Sequence, residues 1–195
     1  MIGTMLGQYR IEAELGAGGM GVVYRAHDPV LERDVALKLP PAAELADPAA
    51  RAAVLEEART ASRLNHPNIC TVYEVGEDAG RVFIAMERIE GDTLAQRIPD
   101  GGLPGETVVR WGAPLARALA HAHERGVIHR DVKPANVAIT ADGRPKLLDF
   151  GLSRRVVDAA LGRRTVESDG TLVGVPLYLA PELLRGEPEI GRAHV

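Results

Sequence analysis

Lysine is nearly absent from this chain: only Lys38, Lys133 and Lys146 occur among 23 basic residues. Arginine supplies the rest, so a retained lysine hints at a position that needs a compact ammonium instead of a planar fork. Cysteine is scarcer still. The single Cys70 excludes an intrachain disulfide and reads as a small buried residue in a reducing compartment. A large charge of one sign is missing too. A net charge of −4 gives no reason to expect nucleic acid or an anionic membrane surface as partner. No apolar run approaches the roughly 18 residues of a membrane span. The N-terminus lacks the basic-then-apolar order of a signal peptide, so a cytoplasmic location is expected.

What is present is ordinary for a soluble globular protein: 195 residues, 46% apolar and 26% charged, enough for one domain or two small lobes. The β-branched and aromatic residues of Tyr9-Arg10-Ile11, Val22-Val23-Tyr24-Arg25 and Val35-Ala36-Leu37-Lys38-Leu39 predict strands. Asp47-Pro48 predicts a helix start, with apolar Ala50, Ala53, Val54, Ala58 and Ala61 at helical spacing up to about Leu64. Two more strands are expected at 69–75 and 82–87, then a short helix at 93–98. A longer helix over 106–125 turns Val109, Leu115, Ala116, Leu119 and Ala122 inward and is capped by Gly126. Short strands at 137–139 and 145–148 follow, and 150–182 shows no strong period, which in a compact domain marks a functional or mobile loop. A strand-rich front and a helix-rich back meet near residues 87–91, an α+β arrangement in which ligands often sit between lobes.

Several motifs carry chemistry. Gly16-Ala17-Gly18-Gly19-Met20-Gly21-Val22-Val23 fits G-x-G-x-x-G-x-V, in which glycines let a hairpin close over phosphates and offer them backbone N–H donors. Dinucleotide-binding loops share the six-residue core, but theirs open a helix, whereas strand-like residues follow here. Lys38, on the strand beyond that loop, is placed to reach phosphates, with Glu57 of the next helix as its partner. Glu57 is preferred to Glu56 because it shares a face with Ala53 and Ala61; the bland alternative is a solvated helix charge paired with an Arg. His129-Arg130-Asp131-Val132-Lys133-Pro134-Ala135-Asn136 comes thirteen residues before Asp149-Phe150-Gly151. Asp131 is the candidate to accept or orient the proton of an attacking hydroxyl. Lys133 offsets charge on a transferring phosphoryl group, while Asn136 and Asp149 offer hard oxygens to Mg2+. Each alone is a plain polar loop residue; the whole set in this order is not.

The chain resembles the eukaryotic-type Ser/Thr protein kinases of bacteria, over residues 7–188. The resemblance implies a two-lobe protein-kinase-like fold with a complete N-lobe over 1–87, holding five strands and the helix of Glu57. A partial C-lobe over 88–189 follows. It implies ATP and Mg2+ as cofactors and protein Ser/Thr hydroxyls as acceptors, the latter because Lys133 follows Asp131. It implies an adenine site of Leu15, Val23, Ala36, Ala138, gatekeeper Met86 and hinge Glu87 to Ile89, and an internal spine of Ala61, Val72, Phe150 and His129. Arg130 beside Asp131 implies control by phosphorylation at Thr165, Ser168 or Thr171, with a homodimer for autophosphorylation. Full-length relatives imply a membrane anchor beyond the region seen here.

The chain departs from the pattern in two places. Val175 stands where the family has a threonine, keeping shape and losing a hydroxyl. After Ala180-Pro181-Glu182 the remaining C-lobe helices are missing. Residues 190–195, Ile190-Gly191-Arg192-Ala193-His194-Val195, match the translation of a sequencing-adapter read-through and are expected to be a non-native tail on a truncated kinase domain; a natural tail is the alternative. Two rival readings are a nonenzymatic nucleotide-binding pseudokinase or scaffold, favoured by Val175 and the short C-lobe, and a small-molecule phosphotransferase, disfavoured by the full motif set.

Overall fold

Strand alternation organises the front of the chain. The computed structural model describes residues 1–18, 21–42, 45–150 and 178, and the chain divides into two compact units, Met1–Gly91 and Asp92–Val195. In the first unit, β1 (Met5–Leu6), β2 (Tyr9–Gly18), β3 (Gly21–Asp28), β4 (Arg33–Leu39), β5 (Val72–Asp78) and β6 (Arg81–Glu87) form one sheet. The order is β1-β2-β3-β4-β6-β5, and every neighbouring pair is antiparallel. Five of these strands were expected; β1 is additional, its two residues being too few to display a period.

Val35 and Leu37 of β4 join Leu6, Tyr9, Ile11, Ala26, Phe83 and Ala85 in one apolar core. Ala36 and Lys38 alternate to the opposite face and are buried as well. The Tyr9 ring meets Phe83 edge-on at 5.7 Å, and its hydroxyl donates to Glu74 at 2.6 Å. Burial, reinforced by that carboxylate, raises the Tyr9 pKa. At the β3–β4 turn, fully buried Asp28 accepts from the Val30 and Leu31 N–H groups at 3.1 and 3.2 Å.

Helix α1 (Pro48–Ala61) starts as its sequence demands: the Asp47 carboxylate accepts the Ala50 N–H at 3.0 Å and Pro48 fills the first turn. Such a cap is worth about 1 kcal/mol. An Arg51–Glu77 ion pair ties the helix to β5. Ala50, Ala58 and Ala61 are buried as expected, but Ala53 is exposed because it sits at the edge of that stripe.

In the second unit, β7 (Gly91–Thr93), β8 (Val137–Thr140) and β9 (Pro145–Leu147) form a small sheet in the order β7-β8-β9. The helix expected at 93–98 is α2 (Leu94–Arg97), and β7 was not anticipated. Helix α3 (Gly105–His123) lies against β9, and its Trp111 Nε1–H donates to the Gly143 carbonyl at 3.2 Å. Its buried positions are Ala118 and Ala122, on the face of half-buried Thr107, Trp111 and Pro114. Val109 and Ala116 are exposed, against expectation, because they fall about half a turn from that face at 3.6 residues per turn. Gly126 follows the helix at φ 72°, a left-handed position that glycine adopts without cost.

Candidate active site

In the first unit, cross-strand register assembles one cluster of candidate residues. Lys38 lies opposite Val23 on β3 and Ile84 on β6, and Ala36 lies opposite Met86. Directly paired residues share a sheet face, so Val23, Ala36, Lys38 and Met86 point the same way. Ala36, Lys38 and Met86 are buried and Val23 is half-buried. A lysine that is 3% exposed gives up hydration that only a specific role or partner offsets. On α1, Glu57 is half-buried on the side of Ala61, whereas Glu56 is exposed and reaches Arg59 at 3.8 Å. That difference separates two adjacent carboxylates the sequence left nearly equal.

The glycine loop is described up to Gly18 and again from Gly21; Gly19 and Met20 lie outside the described residues. Its glycines are not equivalent. Gly21 has φ 104°, and a Cβ there would collide with the Leu39 carbonyl oxygen. Gly16 and Gly18 have no such neighbour, so their lack of a side chain leaves open space above the strand. Leu15 falls at a register shift between Glu14 and Gly16 and is 53% exposed. At the end of β6, the Glu87 N–H donates to Thr71 O at 2.8 Å, while its carboxylate accepts the Thr71 N–H at 3.3 Å. Ile89 is half-buried.

In the second unit, three segments converge through hydrogen bonds and not through a repeating pattern. Asp131 is 6% exposed. Its Oδ2 accepts Asn136 Nδ2–H at 2.7 Å and meets Lys133 Nζ at 2.6 Å, and its backbone carbonyl accepts Asn136 Nδ2–H at 2.9 Å. Pro134–Asn136 forms a single 3-10 turn, which brings Asn136 back over Asp131. The Asn136 carbonyl accepts the Leu148 N–H at 2.9 Å, setting Asp149 next along the chain. Arg130 and Asp149 both have left-handed backbones, φ 67° and 55°, costing of order 1–3 kcal/mol each for non-glycine residues. Such strain persists where the surroundings fix it, and His129 bonds beside both residues. Its Nε2 lies 2.8 Å from Leu148 O, its Nδ1 accepts the Asp131 N–H at 3.3 Å, and its ring packs on Phe150 at 4.5 Å. Burial holds the His129 pKa below the ordinary imidazole value. Ala138 is buried on β8 opposite Lys146.

The fit to a hard cation is favourable. The Asn136 Nδ2 is committed to Asp131, leaving Oδ1 as the amide atom for a metal, and Asp149 adds a carboxylate. Among the described residues no group of three or more His, Cys, Asp and Glu forms a metal site. Mg2+ is commonly held by one or two protein oxygens together with phosphates and water, a donor set that Asn136 Oδ1 and the Asp149 carboxylate match in kind. The sequence reading missed the two-sided bonding of His129, for which no local signal exists. It also missed the Thr93/Gln96 capping box that starts α2, although T-x-x-Q spells it. Thr165, Ser168, Thr171, Val175 and the tail at 190–195 lie outside the described residues.

Known proteins with this organisation are kinases. The protein kinase domain family matches residues 9–194. The chain is 40% identical to the serine/threonine-protein kinase PknJ of Mycobacterium tuberculosis, covering 98% of this chain and 32% of that protein. It is 38% identical to the serine/threonine-protein kinase PknB of Mycobacterium leprae, over 96% of this chain and 30% of that protein. The crystal structure of the M. tuberculosis PknI kinase domain superposes with a TM-score of 0.76 at 34% identity, covering 98% of this chain and 69% of that one. The chain thus spans about a third of the length of these curated relatives. Family match, relatives and fold agree: the chain belongs to the protein kinase domain family, beside the serine/threonine-protein kinases of bacteria.

Proposed function

We propose that the protein bearing this chain transfers the γ-phosphate of ATP to Ser or Thr hydroxyls of proteins. The observation that carries the reading is the double engagement of Asp131 Oδ2 by Lys133 and Asn136. With Oδ2 so held, the other carboxylate oxygen is the one to accept or orient the acceptor hydroxyl. Lys133, already 2.6 Å from Asp131, offsets charge as the phosphoryl group moves. Lys38 holds phosphate oxygens, with Glu57 as its partner. Gly16, Gly18 and Gly21 let the backbone approach them, while Leu15, Val23, Ala36, Met86, Glu87, Ile89 and Ala138 receive the base. Asn136 and Asp149 would hold Mg2+, which when bound neutralises phosphate charge.

Finer parts of the reading rest on the family. We place the N-lobe at 1–87 and the partial C-lobe at 88–189, with 190–195 as a foreign tail. Regulation acts through a phosphate on Thr165, Ser168 or Thr171 that pairs with Arg130, delivered within a homodimer. The catalytic region works in the cytoplasm, with any membrane anchor beyond it. Among the described residues no helix is long and apolar enough to cross a membrane. The test is Mg-dependent ATP binding and turnover by the intact protein and by Asp149→Ala. Loss of both in the variant is expected; unchanged turnover refutes the assignment.

A further inference from the structure

Where the β4–β6 ladder stops, side chains carry the pairing on. The ladder ends at Val35 opposite Glu87, so antiparallel register sets Asp34 against Arg88. There the Arg88 Nη1–H group donates to Asp34 Oδ2 at 3.4 Å and to Glu90 Oε1 at 2.7 Å. Asp34 is held from its other side as well. It is the cross-strand partner of His27 on β3, whose Nδ1 lies 3.2 Å from Asp34 Oδ1. A carboxylate only accepts, so Nδ1 is the donor. The row His27, Asp34, Arg88 thus runs from β3 across β4 to the segment leaving β6, and each oxygen of Asp34 meets a different donor. All three residues are half-buried.

We infer that Arg88 is a positioning residue for the base end of the nucleotide: through Asp34, itself oriented by His27, it fixes the backbone of Glu87 to Ile89 against β4. The row lies beside the residues that receive the base. Alternation puts Asp34 on the sheet face of Ala36 and Lys38. Arg88 follows Met86 by two, so the Asp34–Arg88 pair stands two residues, about 7 Å, along from the Ala36–Met86 pair. An isolated surface ion pair would do little here. A carboxylate gripped on both oxygens within a half-buried row has less freedom to lose and more to hold. Glu90 cannot supply the same tie, because it belongs to the segment that carries Arg88 and moves with it. The inference rests on the proposed kinase reading for its effect on the nucleotide, but the tie between Arg88 and β4 does not depend on it.

Two experiments on the intact protein test it separately. Hydrogen exchange in the nucleotide-free protein is expected to speed up at the amides of residues 88–90 in Arg88→Ala. Unchanged exchange there overturns the inference, whether or not the protein proves to be a kinase. Steady-state kinetics then compare Asp34→Ala, Arg88→Ala, the double variant and Glu90→Ala. Each of the first two is expected to raise KM for ATP by about twofold to fivefold, the scale of one such pair, with kcat unchanged. The double variant should be no worse than the poorer single one, since both remove the same bond. Inhibition by adenosine should weaken in step with KM, while inhibition by inorganic tripolyphosphate stays at the wild-type value. Additive effects, a parallel loss of tripolyphosphate inhibition, or a Glu90→Ala effect as large as that of Arg88→Ala overturns it. Absence of ATP turnover in the wild type would instead count against the kinase reading.

Discussion

The two units place their candidate residues by different physics. In Met1–Gly91 the sheet does it: a period of two sends Val35 and Leu37 to the core and Ala36 and Lys38 to the other face, and register adds Val23 and Met86. In the unit from Asp92 onward, Asp131, Lys133, Asn136 and Asp149 lie in turns and loops, and side chain to backbone bonds hold them. The first kind of site is as robust as the core beneath it. The second depends on a few polar contacts and two strained residues. A substitution among the second unit's loop residues should therefore change chemistry at little cost in stability, and one in the first unit's apolar core should do the reverse.

The largest expected effect breaks chemistry alone. Asp131→Asn keeps the shape and can still meet Asn136, but loses the charge that faces Lys133. We expect kcat to fall by about 10²–10⁴, with ATP affinity nearly unchanged by titration calorimetry. A parallel loss of ATP affinity would mean that the second unit's contacts are not separable from nucleotide binding.

Leu37→Ala probes the other side of the comparison. Leu37 is fully buried in the centre of the sheet, and such truncations cost about 2–5 kcal/mol. Denaturant melts should show that loss as a shifted midpoint, while kcat per folded molecule is retained. A drop in kcat per folded molecule larger than the Asp131 effect would invert the contrast.

The glycine loop joins both principles within one strand pair. Gly21→Ala must accommodate a Cβ against the Leu39 carbonyl at φ 104°, so it should lower stability by about 1–3 kcal/mol. Gly18→Ala meets open space. It should leave thermal unfolding within measurement error and raise KM for ATP, because the added methyl stands where phosphates approach. Equal stability losses at the two positions would show that the loop is purely a structural hairpin.

How much could be read in advance follows the same division. β2 to β6 and α1 were legible because apolar spacing and the Asp47-Pro48 cap write them locally. Two-residue β1 was not, being shorter than any period. In the second unit the identity of Asp131, Lys133, Asn136 and Asp149 was carried by motif order alone. Nothing local announces that Arg130 and Asp149 adopt left-handed backbones, or that His129 bonds on both sides, since these depend on segments far apart in sequence. The register shift at Glu14/Gly16, which leaves Leu15 exposed, was likewise not announced by any local pattern.

Helix α3 supplies the smallest and most discriminating test. Apolar content marked Val109 and Ala116 as inward, yet Val109 is 67% exposed while Ala118 is fully buried. Val109→Ser removes apolar surface that water already reaches, and serine and valine differ little in helix propensity. The change should stay within about 0.5 kcal/mol. Ala118→Leu forces added methylenes into a closed position and should cost about 1–3 kcal/mol. Both are read from the same urea midpoints. If Val109→Ser were the costlier of the two, another surface would have to cover the outer side of α3. The helix would then be anchored on two faces and the second unit would carry a second core.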